Sequence, residues 1–285
     1  MRKFYLAFIL ALMYVPIVLV IVYSFNTSRL TSVWGGFTLS WYRELFRDRT
    51  MFNALMNSLF LATVSCLLAA VIGTLGAVSM VWTKPAYKNG IKLRSGGRLV
   101  GVMEYLSILP IMTPEIIMGM ILLAFFTLLR FPLGMLTLIL AHTSFCIPYI
   151  YLLVKARLAG LDRSYIDAAR NLGAGTFRAF RDIMLPLIMP AVISGILLSF
   201  AMSFDDVIIS IFVTGPNTNT LPIRIYTQLR TGVTPKTNAL CSLLFVITVL
   251  LCILSLVISR IKVTEKDSHS EEVPYRQKAP VIKTD

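Results

Sequence analysis

Residues 165–174 read YIDAARNLGA, and residues 183–186 read IMLP. These polar and small residues lie between two long apolar runs, of which one ends near Val154 and the next begins near Ala191. A polar segment in this position predicts a surface outside the membrane. Its small side chains at Ala168, Ala169 and Gly173 allow a partner protein to approach closely, so the segment is a candidate docking surface.

Apolar composition indicates a membrane protein. Of the 285 residues, 56% are hydrophobic and 14% are charged, and the mean hydropathy of +0.77 is too high for an ordinary soluble domain. A helix needs about 20 apolar residues to cross the hydrocarbon core, and six runs have about this length: Phe4–Phe25, Ala54–Trp82, Gly101–Leu129, Leu133–Val154, Ala191–Val213 and Ala239–Ser259. The sequence predicts an all-α polytopic membrane domain with six transmembrane helices over residues 1–262.

Lys and Arg residues are distributed unevenly among the connections. If both termini are cytoplasmic, the inner segments contain 19 of the 27 Lys and Arg residues and the outer segments contain 8. Cytoplasmic loops carry such an excess, which predicts this orientation and puts residues 155–190 in the cytoplasm. Membrane lipid then explains the net charge of +13, without a nucleic-acid partner. Residues 263–285 are polar and predict a disordered cytoplasmic tail.

Local signals predict two short helices in the cytoplasmic segment. Ser164 and Asp167 have the spacing of a capping box, so a helix is expected to start near Ser164. Gly173 fits a left-handed helix stop, since a residue without Cβ accepts a positive φ. A second helix is predicted from about Thr176 to Met184, ending where Pro186 interrupts the pattern.

The spacing within this segment resembles a known coupling element. Asp-Ala-Ala is followed after three residues by Gly, and after nine more by Ile-x-Leu-Pro, which resembles the EAA loop of ABC importer permeases. The residues that match it are Asp167, Ala168, Ala169, Gly173, Leu185 and Pro186. Asp167 departs from the Glu that many members carry, which keeps the charge and shortens its reach.

The resemblance extends over residues 1–262 to the second permease of spermidine/putrescine importers. It includes SFDDV at 203–207, FVTGP at 212–216 and LPIRIY at 221–226. It implies a type I importer permease fold in a bacterial inner membrane. The implied partners are a second permease, a dimer of ATP-binding subunits that receives the coupling loop, and an extracytoplasmic polyamine-binding protein.

ATP chemistry is expected to belong to a partner. The sequence contains no Gly-rich phosphate loop ending in Gly-Lys-Ser/Thr, so ATP and Mg would be bound by the ATPase subunit. His142 and Ser144 point apart on a helix, which argues against serine hydrolysis. We therefore expect a non-catalytic transport subunit that binds no cofactor or metal itself.

Three carboxylates in apolar runs predict a pathway for an organic polycation. Glu115 lies near the middle of the third run, and Asp205 and Asp206 lie in the fifth. An unpaired carboxylate at the centre of a span costs about 2.5 to 3.5 kcal/mol, so these groups are expected to face water or a cation. Ammonium groups that leave water need such compensating charge.

Other interpretations of these carboxylates stay open. Adjacent Asp residues point about 100° apart on a helix, which argues against both lining one pore. One of them could instead cap a broken helix, and Glu115 could bond to His142 or to a backbone amide freed by Pro110 and Pro114. A permease for another small cationic solute or a metal ion would share the coupling loop, whereas an ATP-independent channel or carrier would not need it.

Overall fold

The computed structural model describes residues 2–29, 33–82, 87–88, 91–92, 97–162, 164–250 and 253. Its elements, in chain order, are helices α1 (Arg2–Tyr23), α2 (Ser40–Arg47) and α3 (Arg49–Trp82), strands β1 (Tyr87–Lys88) and β2 (Ile91–Lys92), and helices α4 (Gly97–Met112), α5 (Glu115–Leu128), α6 (Met135–Ala159), α7 (Ser164–Asn171), α8 (Thr176–Ala179), α9 (Leu185–Asp205), α10 (Ile208–Val213), α11 (Leu221–Thr231) and α12 (Pro235–Leu250). The strands form one short antiparallel hairpin. The predicted all-α class is confirmed.

Chain contacts divide the protein into two units, residues 1–47 with 232–285, and residues 48–231. In the first unit, the loop after α1 is organised by Asn26. Its side-chain amide donates to the Val33 carbonyl at 2.7 Å and accepts from the Gly35 amide at 2.8 Å, while the Trp41 indole donates to the Asn26 carbonyl at 2.7 Å. In the described part of the connection between the first two apolar runs, the buried side chain of Asn26 therefore organises the loop.

In the second unit, α3, α6 and α9 pack together around the core. Glycines allow the close contacts. A Cβ on Gly73 of α3 would lie 3.0 Å from the Ile147 carbonyl of α6, and one on Gly195 of α9 would lie 3.2 Å from Ile150 Cα. Small residues of this kind let membrane helices approach closely. Helix α6 is thus held between two neighbours at the level of Ile147 and Ile150.

The third apolar run, Gly101–Leu129, is not one straight helix. It is divided into α4 and α5, whose axes differ by 113°. The break falls at Thr113 and Pro114, because a residue before proline avoids the α conformation and Pro114 adopts ψ 134°. The Thr113 hydroxyl bonds back to the Leu109 carbonyl at 2.9 Å. The third run is therefore a broken span, interrupted at one of the prolines from which freed backbone groups were expected.

The helix that begins at Thr176 does not end at Pro186. It continues through a π-helical turn, Phe180–Met184, into α9, so that Thr176–Asp205 is one helix of 30 residues. The Leu185 amide bonds to the Phe180 carbonyl, one residue further back than in an α-helix. Pro186 then lies in the first turn of α9, where a missing amide is tolerated. The predicted interruption at Pro186 is wrong for this reason.

The fifth run, Ala191–Val213, is also divided. Helix α9 ends at Asp205, and α10 begins at Ile208. Among the residues that the structure describes, four helices are individually long and apolar enough to span a membrane, and the bent pair α4 and α5 adds a fifth. The sixth run, Ala239–Ser259, is helical as far as Leu250, and the predicted tail 263–285 lies outside the described residues.

Candidate functional sites: a docking surface and an acidic cavity

Helix α7 begins at Ser164, as predicted, but with a different capping residue. The Ser164 amide donates to the Asp162 carboxylate at 2.9 Å, so Asp162 rather than Asp167 supplies the charged acceptor at this end. This hydrogen bond holds the pKa of Asp162 below its usual value. The capping box of Ser164 with Asp167 is therefore replaced, because the acceptor comes from the preceding loop, and the exposed side chain of Asp167 remains on the surface.

Helix α7 ends at a left-handed glycine, which confirms the predicted stop. Gly173 has φ +84°, and the Ala174 amide bonds to the Ala169 carbonyl at 3.0 Å. In a Schellman motif, the amide of the residue after the left-handed glycine donates to the carbonyl five residues earlier. The bond from Ala174 to Ala169 has this pattern. A Cβ on Gly173 would meet nothing within 4 Å, so the conformation and not the space requires glycine here.

Helix α7 presents apolar residues outward. Leu172 is 89% exposed, Tyr165 is 54% exposed, and Phe177 of the next helix is 74% exposed. Tyr165, Ala168 and Leu172 follow helical spacing and form one exposed stripe. Exposed apolar groups on a polar segment make it a candidate contact surface for another molecule. We call Tyr165, Asp167, Ala168, Leu172, Gly173 and Phe177 the docking surface.

The remaining residues of the predicted coupling element lie outside the docking surface, and they differ in burial. Ala169 is buried, and Leu185 packs against the hydrophobic core. Pro186 is exposed in the first turn of α9. The long helix that carries Leu185 and Pro186 runs on to Asp205. Phe177 of the docking surface thus lies on the same continuous helix as Asp205.

An acidic cavity of about 550 Å³ forms where the two divided runs meet. It contains all three predicted pathway carboxylates, Glu115, Asp205 and Asp206, together with the rings of Tyr149 and Tyr226. No Lys or Arg is among its described lining residues. The cavity is therefore a negatively charged site with aromatic walls.

Helix breaks bring these carboxylates together. Glu115 is the first residue of α5, Asp205 is the last residue of α9, and Asp206 follows in extended conformation with ψ 126°. The 100° separation expected of neighbours on one continuous helix does not apply, because the helix ends between them. Both aspartates line the same cavity, contrary to the argument from helical geometry.

Asp206 caps a broken helix, which was one of the open interpretations. Its carboxylate accepts bonds from the Ile209 amide at 3.2 Å, and from the Ser210 amide and hydroxyl at 2.8 Å each. These donors belong to the first turn of α10, whose amides have no partner within the helix. Asp206 is therefore engaged by the protein itself.

Asp205 and Glu115 have exposed side chains. Asp205 accepts no hydrogen bond from the residues that the structure describes, and it stands at the C-terminal end of α9, where the helix dipole adds negative potential. Glu115 stands at the N-terminus of α5, where the dipole partly compensates its charge. Of the three carboxylates, Asp205 is the best placed to attract a cation.

His142 of α6 is fully buried beside this break. Its Nδ1 lies 2.8 Å from the Ser203 hydroxyl, its Nε2 lies 2.9 Å from the Ser210 hydroxyl, and Nε2 is 3.5 Å from Asp206. The proposed alternative of a bond between His142 and Glu115 is not the one that forms. His142 instead contacts both sides of the gap between α9 and α10.

Residues 86–263 match the family model described as the binding-protein-dependent transport system inner membrane component. The chain belongs to this family.

Curated members of the family are similar over most of the sequence. The chain is 40% identical over 262 residues to the spermidine/putrescine transport system permease protein PotC of Escherichia coli K12, which covers 92% of this chain and 95% of the relative. It is 40% identical over 238 residues to the putrescine transport system permease protein PotI of the same organism, covering 81% of each. The chain is a multi-pass permease subunit of an ABC transporter.

Solved structures show the same fold at low sequence identity. A bacterial ABC transporter involved in the import of the acidic polysaccharide alginate matches with a TM-score of 0.66 and 14% identity, covering 91% of this chain and 94% of that chain. The MetNI methionine ABC transporter matches with a TM-score of 0.59 and 19% identity, covering 76% and 95%. The predicted importer permease fold is confirmed.

Sequence reasoning missed several residues of both sites. The stripe of Tyr165, Ala168 and Leu172 could have been found from its helical spacing. Tyr149 and Tyr226 reach the acidic cavity from distant helices, and the bridge from His142 to both sides of a helix break has no local signal. These contacts depend on how α6, α9 and α11 are arranged in space.

Proposed function

We propose that this chain is one of two permease subunits of an ATP-driven polyamine importer, and that a polyamine passes the acidic cavity. The observation that carries the proposal is the convergence of Glu115, Asp205 and Asp206 on one cavity without a described basic lining residue. Polyamine amines resemble the Lys side chain, whose pKa is about 10.4, and are positively charged at neutral pH. The names of the similar permeases, which state spermidine and putrescine, support the same substrate class.

The cavity suits an extended organic cation in size and in chemistry. Its volume of about 550 Å³ lies within the range of about 300 to 1,000 Å³ usual for small-molecule sites. Tyr149 and Tyr226 add aromatic contact area for methylene groups, and the Tyr226 ring already binds one cation, since the Arg230 guanidinium lies 4.9 Å from its centroid. Carboxylates and aromatic rings together recognise both parts of a polyamine.

The docking surface is proposed to receive the ATP-binding subunit. It combines exposed Tyr165, Leu172 and Phe177 with Asp167, which is also exposed on α7 but points away from the apolar stripe. The continuous helix Thr176–Asp205 links this surface to the acidic cavity. Movement of the docking surface with the ATPase would act on Asp205 through the helix that carries Phe177 at its start and Asp205 at its end. With both termini in the cytoplasm, as the Lys and Arg distribution indicates, the docking surface faces the ATPase.

Reconstitution tests this function directly. The chain is co-expressed with a second permease and an ATP-binding subunit, purified as a complex, and placed in lipid vesicles with the extracytoplasmic binding protein. We expect uptake of radiolabelled spermidine or putrescine and ATP hydrolysis that the loaded binding protein stimulates. Uptake of a different small cation or a metal ion, with none of either polyamine, would redirect the substrate assignment. Failure to copurify with an ATP-binding subunit would contradict the proposed assembly.

A further inference from the structure

His142 forms a bridge across the gap between α9 and α10. Ser203 lies on α9, two residues before its end, and Ser210 lies in the first turn of α10. Both hydroxyls bond to the same imidazole ring, at 2.8 Å to Nδ1 and 2.9 Å to Nε2. All three side chains are buried. One rigid ring on α6 therefore contacts both sides of the break.

The directions of these hydrogen bonds follow from the number of protons available. The Ser210 hydroxyl donates its only proton to the Asp206 carboxylate at 2.8 Å, so it must accept from His142 Nε2–H. A neutral imidazole has one proton, which leaves Nδ1 as the acceptor for the Ser203 hydroxyl. The chain of bonds runs from Ser203 through His142 and Ser210 to Asp206. Every member is satisfied, as a stable buried polar network requires.

We infer that His142 is a positioning residue for the substrate pathway: it fixes the distance between the end of α9 and the start of α10, and so holds Asp205 at the wall of the acidic cavity. The inference rests on the proposed function for its consequence in transport. The bridge and the Asp206 cap act together on two adjacent residues. With Asp206 bound to α10, the preceding residue Asp205 has little freedom to move away from the cavity.

The bridge also explains why the break is stable without a proline or glycine. The residues from Ser203 to Ser210 read SFDDVIIS, which contains neither. Unwinding a helix here frees backbone groups that are costly to leave unpaired in a membrane. The Asp206 cap satisfies two amides of α10, and the His142 ring holds the two helix ends in register. The break is thus stabilised by tertiary contacts from α6.

Serine variants test the bridge without removing the large buried ring. Ser203→Ala and Ser210→Ala each release one end of it. Ser199→Ala is the matched control, because Ser199 is also fully buried in α9 and bonds to the Cys146 carbonyl at 3.4 Å, outside the bridge. Each variant is combined with Asp205→Cys in the full complex. The rate at which 2-aminoethyl methanethiosulfonate modifies position 205 is measured, and the parent protein with Asp205 gives the background of the 4 native cysteines.

Loss of either end of the bridge is expected to change the labelling rate about fivefold, the size of effect of one buried hydrogen bond. Ser199→Ala is expected to leave it unchanged. The double variant Ser203→Ala with Ser210→Ala is expected to match the single variants, since a bridge is already open when one end is lost. Effects that add in the double variant, or that equal the Ser199→Ala control, would overturn the inference.

Transport provides the second readout. In complexes that retain Asp205, Ser203→Ala and Ser210→Ala are expected to lower spermidine uptake per ATP hydrolysed about fivefold at equal amounts of assembled complex, with Ser199→Ala at the wild-type ratio. A role in packing alone would lower the amount of complex and not this ratio. If wild-type protein takes up no polyamine, the proposed function fails, while the labelling rates still decide whether the bridge positions residue 205.

Discussion

The docking surface and the acidic cavity are built in opposite ways. The docking surface comes from 13 consecutive positions, Tyr165–Phe177, and its shape is set by bonds between near neighbours such as Ala174 to Ala169. The cavity comes from side chains as distant as Glu115 and Tyr226, brought together at two helix breaks. Local structure places the first site on the protein surface, and tertiary structure creates the second. Substitutions at the two sites should therefore impair different steps, namely binding of the ATP-binding subunit at the docking surface and uptake of the substrate at the cavity.

The largest effect is expected from Leu172→Asp. Leu172 is 89% exposed, so its replacement costs this chain little stability. Burying a Leu side chain in a partner contributes about 1.5 to 3 kcal/mol, and a buried carboxylate is unfavourable. We expect binding of the ATP-binding subunit to weaken roughly thirtyfold, which corresponds to about 2 kcal/mol. Titration of the purified permease pair with the ATPase measures this change.

Phe46→Asp is the matched control for this prediction. Phe46 is 75% exposed and lies in α2, in the connection predicted to be extracytoplasmic. Its replacement introduces the same charge at an equally exposed apolar position. Equal ATPase affinity of the Leu172→Asp and wild-type proteins would remove Leu172 from the interface.

Gly173→Asp is expected to have the next largest effect. Asp and Asn both accept the left-handed conformation more readily than other residues, and the space around Gly173 is open. Asp alone adds a negative charge at a helix C-terminus, where the dipole disfavours it. We expect Gly173→Asp to lower uptake per ATP hydrolysed about tenfold, or about 1.4 kcal/mol, and Gly173→Asn to stay within about twofold. Equal loss in both variants would show that backbone strain, and not charge, matters here.

The docking surface could be predicted from sequence because its signals are local. The spacing of Asp167 and Gly173, and the positive φ that Gly173 adopts, depend on a few consecutive residues. Two details could not be predicted. Asp162 replaces Asp167 as the capping carboxylate, and a π turn lets the helix continue past Pro186. In both, an adjacent segment supplies hydrogen bonds that the motif alone does not include.

The acidic cavity could be predicted only in part. The hydropathy pattern identified Glu115, Asp205 and Asp206 as charges that are costly in apolar runs. The structure brings all three to one cavity. The three carboxylates meet because the helix breaks after Asp205. No proline or glycine lies within residues 203–210 to predict this break. The contacts that hold the break include His142 of α6, which bonds to both sides of it. A contact across more than 60 residues of sequence has no periodic signal.

Asp205→Asn tests whether the cavity attracts a cation through the exposed carboxylate of Asp205. The substitution keeps the volume and removes the charge. We expect polyamine uptake to fall about fivefold, equivalent to about 1 kcal/mol of lost attraction in a partly hydrated site, at unchanged thermal stability of the complex. Uptake by proteoliposomes with matched protein amounts measures the effect. Wild-type uptake in this variant would exclude Asp205 as a pathway ligand.

Substitutions of Asp206 are expected to have the smallest effect. They distinguish a carboxylate that caps a helix from one that attracts the substrate. Asp206→Ala removes the acceptor for the Ile209 and Ser210 amides, so we expect α10 to lose about 0.5 to 1 kcal/mol of stability, the low end for a cap in a membrane protein. Asp206→Asn keeps one side-chain oxygen and replaces the other by an NH2 group, so it can accept at Oδ1 from the Ile209 amide or at Oδ2 from Ser210, but not at both. Thermal unfolding of the purified complex should therefore place Asn between Ala and Asp at position 206. If Asp206→Asn lowers uptake as much as Asp205→Asn does, Asp206 contributes its charge to the pathway as well as its bonds to α10.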